Sequence, residues 1–412
     1  MITLLHTADI HLDSPLKSLA LRDAALGERV QTATRTAFAR IVDAALEHEV
    51  SGVLIAGDLF DGAERSARTA AFLIAQLDRL KAAGIAVYYI KGNHDAENPI
   101  TGELSLPDTV HVFDGRGGKV QLPRQDVWIH GVSFSGRHAP ESLLPKFGAP
   151  VAGAVNIAML HTSLGGAAGH DTYAPCSASE LANMGFDYWA LGHIHKRQVH
   201  GQAPWIVMPG IPQGRDIGEA GPKTATLIKI EDGQIALSEV PTASVEFAEA
   251  RLNCAGFERE DGLRAALRDV IRDAAGALQA ETGVLRLTLH GETALNWAVL
   301  RDQDQWRETI AELAAETGRV WIDKVLFDLS DPKDAAESAS AVTELGRLMA
   351  DIRDEPAFRE EMAQGLATLL GETTPARRAA LAPNEAAAEA LADQLAESGA
   401  AAVLAAMKGA AE

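Results

Sequence analysis

The chain has 412 residues, of which 47% are hydrophobic, which is enough for two or three domains with sizeable cores. Its formal net charge is −20, and residues 246–412 carry most of the excess, with 31 acidic against 17 basic residues. This excess of negative charge counts against a protein that binds nucleic acid through overall positive charge. Contact with DNA would therefore need a local basic groove or a basic partner. No run of 18 apolar residues exists, so a membrane span is not expected.

The two cysteines indicate the cellular compartment. Cys176 and Cys254 are far apart and show no metal-type spacing, so a disulfide framework is not expected and a reducing cytoplasm fits better. The first residues also lack the basic and apolar regions of a secretion signal. We therefore expect a cytoplasmic protein.

The first 90 residues alternate between short apolar runs and segments with helical spacing of apolar side chains. Buried strands are predicted at 2–5, 53–56 and 85–90, with helices at about 28–49 and 65–83 between them. Strand, helix, strand, helix, strand is typical of a parallel α/β sheet.

The next 150 residues contain shorter strands separated by loops rich in glycine and proline. Strands are predicted at 127–131, 155–160 and 188–191, and a hairpin at 224–240 around Asp232-Gly233, a favoured two-residue turn. A boundary follows near 241–247.

A smaller α/β segment is predicted beyond this boundary. Its helices lie at about 258–279 and 294–314, and its strands at 284–289 and 320–329.

Two amphipathic helices follow, separated by Pro356, which suits a helix start. Their apolar faces are Leu345, Leu348, Met349 and Ile352 on one helix, and Phe358, Met362, Leu366 and Leu369 on the other. Such faces are usually core, but their place after the last strand makes a docking segment a serious alternative. The last thirty residues are alanine-rich and helix-prone.

Five short polar motifs each follow directly on a predicted strand. They are Asp9-Ile10-His11, Gly57-Asp58-Leu59-Phe60-Asp61, Gly92-Asn93-His94-Asp95, His161 and Gly192-His193-Ile194-His195. Ligands of open α/β sheets bind at the carboxyl ends of strands, so these motifs should converge on one rim. Carboxylate, amide and imidazole ligands suit manganese, iron or zinc. Each motif alone is weak, but all five in this arrangement predict a metal site.

The order of these motifs resembles the calcineurin-like metallophosphoesterase superfamily. Within it the chain resembles the SbcD-type DNA double-strand-break nucleases of the YhaO-type branch, through the opening 5–13, the stretch 187–195, and Pro209-Gly210 followed by Gln213-Gly214-Arg215. The resemblance is strong over 1–240 and weaker afterwards. It implies a four-layer α/β/β/α sandwich over 1–243, a smaller α/β capping domain at 244–332 and a helical C-terminal segment at 333–412.

The resemblance also implies roles for individual residues. Two divalent ions, most simply Mn²⁺, would be held by Asp9, His11, Asp58, Asn93, His161, His193 and His195, with Asp58 shared. His94 would act as general acid or phosphate stabiliser, and Asp95 would orient its ring. Asp61 stands where some relatives have a histidine near the substrate, and a carboxylate has no cationic role there.

Several other polar residues admit two interpretations. Arg215, Lys223, Lys196 and Arg197 lie close to the motifs, so they either bind substrate phosphate or are ordinary surface charges. His6 is more simply a packed or hydrogen-bonded side chain than a ligand. His170, in a glycine-rich loop, either touches substrate or is merely exposed, and His111, His130, His138 and His200 are expected to be structural or solvated.

The expected activity is hydrolysis of a DNA phosphodiester by metal-activated hydroxide. The resemblance implies exonuclease action on duplex ends, endonuclease action on single strands, a coiled-coil ATPase partner of the SbcC or YhaN type, and a homodimer. One alternative is the same chemistry on a nucleotide or phosphoprotein, which the acidic charge favours. Another is a DNA-end tether with little catalysis, against which the complete set of ligand positions argues.

Overall fold

The structure is a computed structural model, and it describes residues 1–17, 24–61, 66–96, 105–165, 173–332 and 341–410. His170 lies outside the described residues. Within them the strands are β1 (Ile2–Thr7), β2 (Gly52–Ala56), β3 (Ala86–Ile90), β4 (Val110–Val112), β5 (Gly118–Gln121), β6 (Val127–Val132), β7 (Val155–His161), β8 (Tyr188–Gly192), β9 (Gln198–Gln202), β10 (Trp205–Met208), β11 (Thr224–Glu231), β12 (Gln234–Pro241), β13 (Val245–Asn253), β14 (Thr282–Glu292) and β15 (Val320–Ser330).

The helices alternate with the first strands and dominate the end of the chain. They are α1 (Ala24–Gln31), α2 (Ala33–Glu47), α3 (Ala67–Ala82), α4 (Ala178–Ala182), α5 (Glu260–Ala277), α6 (Asn296–Arg301), α7 (Gln303–Ala315), α8 (Ala341–Arg353), α9 (Pro356–Gly371), α10 (Pro375–Leu381) and α11 (Glu385–Ala410). In the described part of the chain, no helix combines the length and the apolar character needed to cross a membrane.

Two large sheets contain the strands of residues 2–241. The first has the strand order β12-β11-β1-β2-β3-β4 and the second β5-β6-β7-β8-β10-β9. In the first sheet β1, β2 and β3 run parallel, with Leu5 opposite Val53. In the second β6, β7, β8 and β10 run parallel, with Met159 opposite Ala190. The carboxyl ends of the parallel strands in each sheet therefore lie on one edge.

Successive residues of the parallel strands serve two different cores. Leu4 and Leu54 pack between the sheets against Ile157, while Leu5 and Ile55 face away. This alternation is the two-residue period of a strand that is buried on both faces.

Helices cover the outer faces of both sheets. Phe38 of α2 and Leu77 of α3 pack on the first sheet. Leu181 of α4 packs on the second, where the Trp189 indole N–H donates to the Leu181 carbonyl at 3.0 Å. The predicted α/β/β/α layering is confirmed.

Two predicted helices are each divided in the structure. The helix expected at 28–49 is α1 and α2, which meet at Thr32. Val30 of α1 and Ala33 at the start of α2 pack with Phe247 and Val284, whereas Phe38 further along α2 packs on the first sheet. The helix expected at 294–314 is α6 and α7, which meet at Asp302.

The chain separates into two compact units. One comprises Met1–Glu249, Ala274–Arg286 and Arg319–Asp323, and the other Ala250–Asp273, Leu287–Gly318 and Lys324–Glu412. A third sheet has the order β13-β14-β15. Within the second unit α11 packs against α6, α8 and α9, and Leu366, Leu370 and Ala392 form a small core. The three-part division at residues 243 and 332 stays a prediction.

Candidate metal centre

The predicted ligands lie on loops at the carboxyl ends of parallel strands. Asp9 and His11 follow β1, Asp58 follows β2, Asn93 follows β3, His161 ends β7, and His193 and His195 follow β8. Backbone bonds align the first loops, because Asp9 N–H donates to the Gly57 carbonyl and His11 N–H to the Asp58 carbonyl, both at 3.0 Å. The sheets thus bring residues up to 186 positions apart to one rim.

Four of these residues have left-handed backbone conformations. The φ angles are 53° at Asp9, 44° at His11, 52° at Asp58 and 104° at His193. A non-glycine residue in such a conformation costs of order 1–3 kcal/mol, and surrounding structure must hold it there. Strain of this kind concentrates at functional sites.

Asp9, His11 and His195 form the first group of possible ligands. One donor atom from each lies within 4.8 Å of the others. The Nε2 atoms of His11 and His195 face each other at 3.2 Å. Two imidazoles bound to one cation at about 2.0–2.1 Å place their nitrogens roughly 3.0–3.4 Å apart, so this spacing fits one shared ion.

Asp58, Asn93 and His161 form the second group. The Nε2 atom of His161 lies 3.3 Å from Asp58 Oδ2 and 3.1 Å from Asn93 Oδ1. His161 Nδ1–H donates to the Ala56 carbonyl at 2.9 Å, so Nε2 is the ring nitrogen that faces the two oxygens. Asp58 also approaches the first group, with His11 Nε2 at 4.0 Å from Oδ2. It therefore lies where a carboxylate shared by two ions would lie.

Glycine is needed beside this second group. A Cβ atom on Gly192 would overlap the Ala56 carbonyl and approach His161 Nδ1, and one on Gly92 would overlap the Asp58 carboxylate. The glycines that open these two motifs therefore permit close approach of backbone to ligand.

His193 lies at the side of the second group. Its ring centroid is 5.2 Å from that of His161 and 5.2 Å from that of Tyr173. Its backbone N–H donates to both Asp9 carboxylate oxygens at 3.0 Å. Burial lowers the pKa of His193 to about 4, so the ring is neutral at pH 7 and can act as a ligand.

His94 lies at the mouth of the site, next to Asp61. Its Nδ1 is 3.4 Å from Asp61 Oδ1, and the same oxygen is 3.5 Å from His11 Nδ1. The His94 backbone N–H donates to Asp58 Oδ1 at 2.9 Å. Asp61 thus faces two predicted site histidines.

Asp95 and Asp61 lie in different surroundings. Asp95 is fully buried and accepts from the backbone N–H groups of Phe60 and Gly92, both at 3.0 Å. These bonds join the loops after β2 and β3, whereas Asp61 is the carboxylate that lies next to the His94 ring. The roles of both carboxylates stay predictions.

The carboxylates and histidines shift one another's pKa values. Burial alone would lower the pKa of His161, but the charge and hydrogen bond of Asp58 raise it to about 9. The hydrogen bond from His11 lowers the pKa of Asp61 to about 2. Burial and the charge of Asp58 raise the pKa of Asp95 to about 6. The centre is therefore strongly coupled electrostatically, as functional sites commonly are.

A cavity of about 700 Å³ opens over both ligand groups. Its lining combines predicted site residues with side chains that the motifs did not indicate: Asp58, Asn93, His94, Arg137, Ser163, Leu164, Tyr173, His193, Ile194, His195 and Gln198. Arg137, Ser163, Tyr173 and Gln198 lie outside the motifs, and no sequence signal marked them. The volume is within the range of small-molecule sites.

The four basic residues predicted to contact substrate have different positions. Arg215 lies at the metal rim, with Nη2 3.1 Å from His195 Nδ1 and 3.1 Å from Glu219 Oε1. Lys196 is exposed. Arg197 instead donates to Thr226 at 2.6 Å and pairs with Glu239, and Lys223 donates to the Ala220 carbonyl at 3.0 Å. The guanidinium of Arg197 is thus engaged by the β11–β12 hairpin, and its role in substrate binding stays a prediction.

Other histidines have structural partners, as expected. His6 is buried, with Nε2 3.0 Å from the Leu191 carbonyl and Nδ1 2.9 Å from the Tyr188 hydroxyl. Burial lowers its pKa to about 3, so it is a neutral packed side chain. His130 bonds Asn156 at 3.1 Å, and His200 bonds Gln198 at 3.0 Å.

Comparison with known proteins gives matches in two parts of the chain. The family model for calcineurin-like phosphoesterase matches residues 2–197, and that for the middle domain of metallophosphoesterase YhaO matches residues 247–330. The uncharacterized metallophosphoesterase YhaO of Bacillus subtilis is 33% identical over 331 residues, which cover 78% of this chain and 80% of that protein. The chain belongs to the calcineurin-like phosphoesterase family.

More distant relatives of this phosphoesterase carry the name DNA double-strand break repair protein Mre11. The protein of Sulfurisphaera tokodaii is 26% identical over 211 residues, covering 48% of this chain and 49% of that protein. That of Methanopyrus kandleri is 26% identical over 231 residues, covering 50% and 48%. The chain spans about half the length of these Mre11 relatives.

The donor set of this phosphoesterase fits the dinuclear metal site that its family uses. The two groups offer carboxylate oxygens, an amide oxygen and ring nitrogens, with Asp58 next to both groups. Among the described residues neither cysteine belongs to a group of possible ligands, and Cys176 lies against Thr162. Nitrogen and oxygen donors without thiolate suit manganese, iron or zinc.

Proposed function

We propose that this phosphoesterase is a manganese-dependent DNA nuclease that processes DNA ends. It would act as an exonuclease on duplex DNA and as an endonuclease on single strands. The observation that supports this most is the pair of ligand groups around Asp58, with His94 at the mouth of an open cavity. The Mre11 relatives support DNA as the substrate, since their names describe double-strand break repair.

Different residues of the chain have different roles in the proposed reaction. Two divalent ions bound by the two groups would supply Lewis acidity to the phosphate and activate a water molecule. His94 lies on the open side, where it can donate a proton to the departing alkoxide oxygen. Asp61, 3.4 Å from His94 Nδ1, orients the ring for that transfer. Arg137 places a cation on the cavity wall for a neighbouring phosphate.

A second candidate is the same chemistry on a nucleotide or phosphoprotein. The net charge of −20 favours it, because the molecule repels polyanionic DNA outside the immediate site. A cavity of about 700 Å³ also accommodates a small phosphodiester.

One assay separates these substrates. Purified protein with Mn²⁺ is given end-labelled linear duplex, labelled single strands and bis(p-nitrophenyl) phosphate, beside Asp58→Asn as a control for contaminating nucleases. The nuclease proposal expects metal-dependent shortening of duplex and cutting of single strands by wild type alone. Hydrolysis of the small ester without cleavage of DNA, with or without the ATPase partner, would favour the second candidate.

We further propose that residues 340–371 dock a coiled-coil ATPase of the SbcC or YhaN type. Leu348, Ile352 and Leu369 on α8 and α9 are 54%, 38% and 61% exposed, an apolar surface suited to a helical partner. Deleting the segment should abolish co-purification with the ATPase. A finer test is Leu348→Glu with Leu369→Glu, beside Gln364→Glu on exposed α9 surface as the matched control. Retained co-purification with the double variant would contradict the docking.

The setting of the reaction completes the proposal. Both cysteines are free thiols, which supports a reducing cytoplasm.

A homodimer is proposed from the family resemblance, and sedimentation at micromolar concentration tests it through the mass of the particle. Manganese is tested by comparing activity of the chelator-treated protein in Mn²⁺, Fe²⁺ and Zn²⁺.

A further inference from the structure

His195 has a carboxylate partner that the metal motifs do not contain. Its Nδ1 lies 2.6 Å from Glu219 Oε1, and the Glu219 side chain is 15% exposed. An ionised carboxylate only accepts hydrogen bonds, so the proton between the two atoms belongs to Nδ1. The other ring nitrogen, Nε2, then carries the lone pair and points at His11 Nε2, 3.2 Å away.

Arg215 keeps Glu219 in the acceptor state. Its Nη2 is 3.1 Å from Glu219 Oε1, and its backbone N–H donates to Oε2 at 2.7 Å. The same Nη2 is 3.1 Å from His195 Nδ1, but both atoms are donors once the imidazole proton is on Nδ1. Arg215 and His195 therefore share one acceptor oxygen, and the guanidinium stabilises the charge on Glu219.

The local backbone places Glu219 for this contact. Glu219 ends a 3-10 turn, Ile217–Glu219, whose N-cap Asp216 accepts from the Gly218 N–H at 2.9 Å. Gly214 passes close to the turn, and a Cβ there would lie 2.9 Å from the Glu219 carbonyl oxygen. The sequence Gly214-Arg215-Asp216-Ile217-Gly218-Glu219 thus folds into a compact support beside β8.

We propose that Glu219, supported by Arg215, is a positioning residue that fixes the tautomer and ring orientation with which His195 binds a divalent cation. A hydrogen-bonded partner on the far nitrogen commonly orients metal-binding histidines. This gives Arg215 an indirect role at the site in place of a direct contact with substrate. The inference rests on the proposed assignment of His195 as a ligand.

Metal affinity tests the inference without reference to catalysis. Mn²⁺ is titrated calorimetrically into the chelator-treated full chain carrying Glu219→Met, which keeps side-chain volume but removes the acceptor. Loss of such a partner typically weakens metal binding about 10- to 100-fold. We expect that loss at one of the two ions, with the other bound as in wild type. Glu231→Met, at the exposed end of β11, is the matched control and should bind both ions normally.

Two further variants keep the outcomes separable. Glu219→Gln should also weaken binding of one ion, because its NH₂ group can turn towards Nδ1 and favour the wrong tautomer. The loss should be smaller than in Glu219→Met, because the carboxamide oxygen can still accept from Nδ1–H. His195→Gln should weaken the same ion at least as much. Wild-type affinity in either folded Glu219 variant, beside weakened His195→Gln, would overturn the positioning role alone. Wild-type affinity in His195→Gln would overturn the ligand assignment itself. Thermal unfolding of each variant shows which ones remain folded.

Discussion

At the scale of single residues, the carboxylates around the histidines matter as much as the ligands. Asp61 Oδ1 approaches both His11 Nδ1 and His94 Nδ1, and Glu219 approaches His195. Motif order indicated the ligand positions because strand ends converge. It did not indicate Glu219, which lies 24 residues from its partner in an unremarked turn. Nor did it give the direction of Arg197, since a neighbouring hairpin decides which acceptors that side chain meets.

Asp61→Asn tests the orientation of His94. The substitution keeps the shape of the side chain but removes the charge that both histidines face. We expect kcat for phosphodiester hydrolysis to fall about 10- to 100-fold, as is usual when an orienting partner is lost. Thermal unfolding shows whether the variant remains folded. Asp232→Asn in the β11–β12 turn is the matched control, because Asn-Gly suits that turn and the site is remote in sequence. Equal kcat in the two variants would contradict the role of Asp61.

At the scale of elements, most of the buried strands were predictable, whereas the short edge strands β4, β5 and β9 were not. β1, β2, β3, β7 and β8 are short runs of apolar residues that are almost entirely buried, so composition alone marks them. β4 has three residues and β5 is mostly exposed, so neither shows an alternation of apolar and polar residues long enough to predict a strand. The hairpin at Asp232-Gly233 was confirmed, since φ is positive at both residues as its turn requires.

Gly192→Ala tests whether the end of β8 must lie this close to β2. The added methyl group would overlap the Ala56 carbonyl and crowd His161 Nδ1. Overpacking of this kind costs typically about 1–3 kcal/mol of unfolding free energy, and it should also weaken Mn²⁺ binding. Gly276→Ala in α5 is the control, because a Cβ there meets open space. A Gly192→Ala protein as stable as this control, with normal Mn²⁺ affinity, would show that the close packing is not required.

At the scale of the whole molecule, charge shapes both stability and substrate binding. The chain has a formal net charge of −20. It also buries two carboxylates in the metal centre, Asp9 and Asp58, which are 0% and 2% exposed and lie close to the site histidines. Cations bound there would offset the repulsion between these carboxylates. The acidic C-terminal third was visible in the sequence, whereas the packing of α11 on α6, α8 and α9 was not, because it depends on tertiary contacts between similar apolar faces.

Removing metal should therefore destabilise the folded chain. A ligand at 100 times its Kd that binds only the folded state adds about 2.7 kcal/mol per site. We expect Mn²⁺ to raise the melting temperature of the chelator-treated protein by several degrees, and EDTA to reverse the rise. Asp58→Asn should show a much smaller rise. An identical rise in that variant would place the stabilising cation elsewhere.

We propose that this phosphoesterase cleaves DNA through a metal centre with His94 as proton donor. We would follow an end-labelled linear duplex in Mn²⁺, with wild type beside His94→Ala, and measure Mn²⁺ binding of both proteins. We expect wild type to degrade the duplex and His94→Ala to be about 10²- to 10⁴-fold slower, with Mn²⁺ affinity unchanged, because a general acid is lost while the proposed ligands remain. Cleavage by His94→Ala at the wild-type rate would contradict the role of His94 as proton donor.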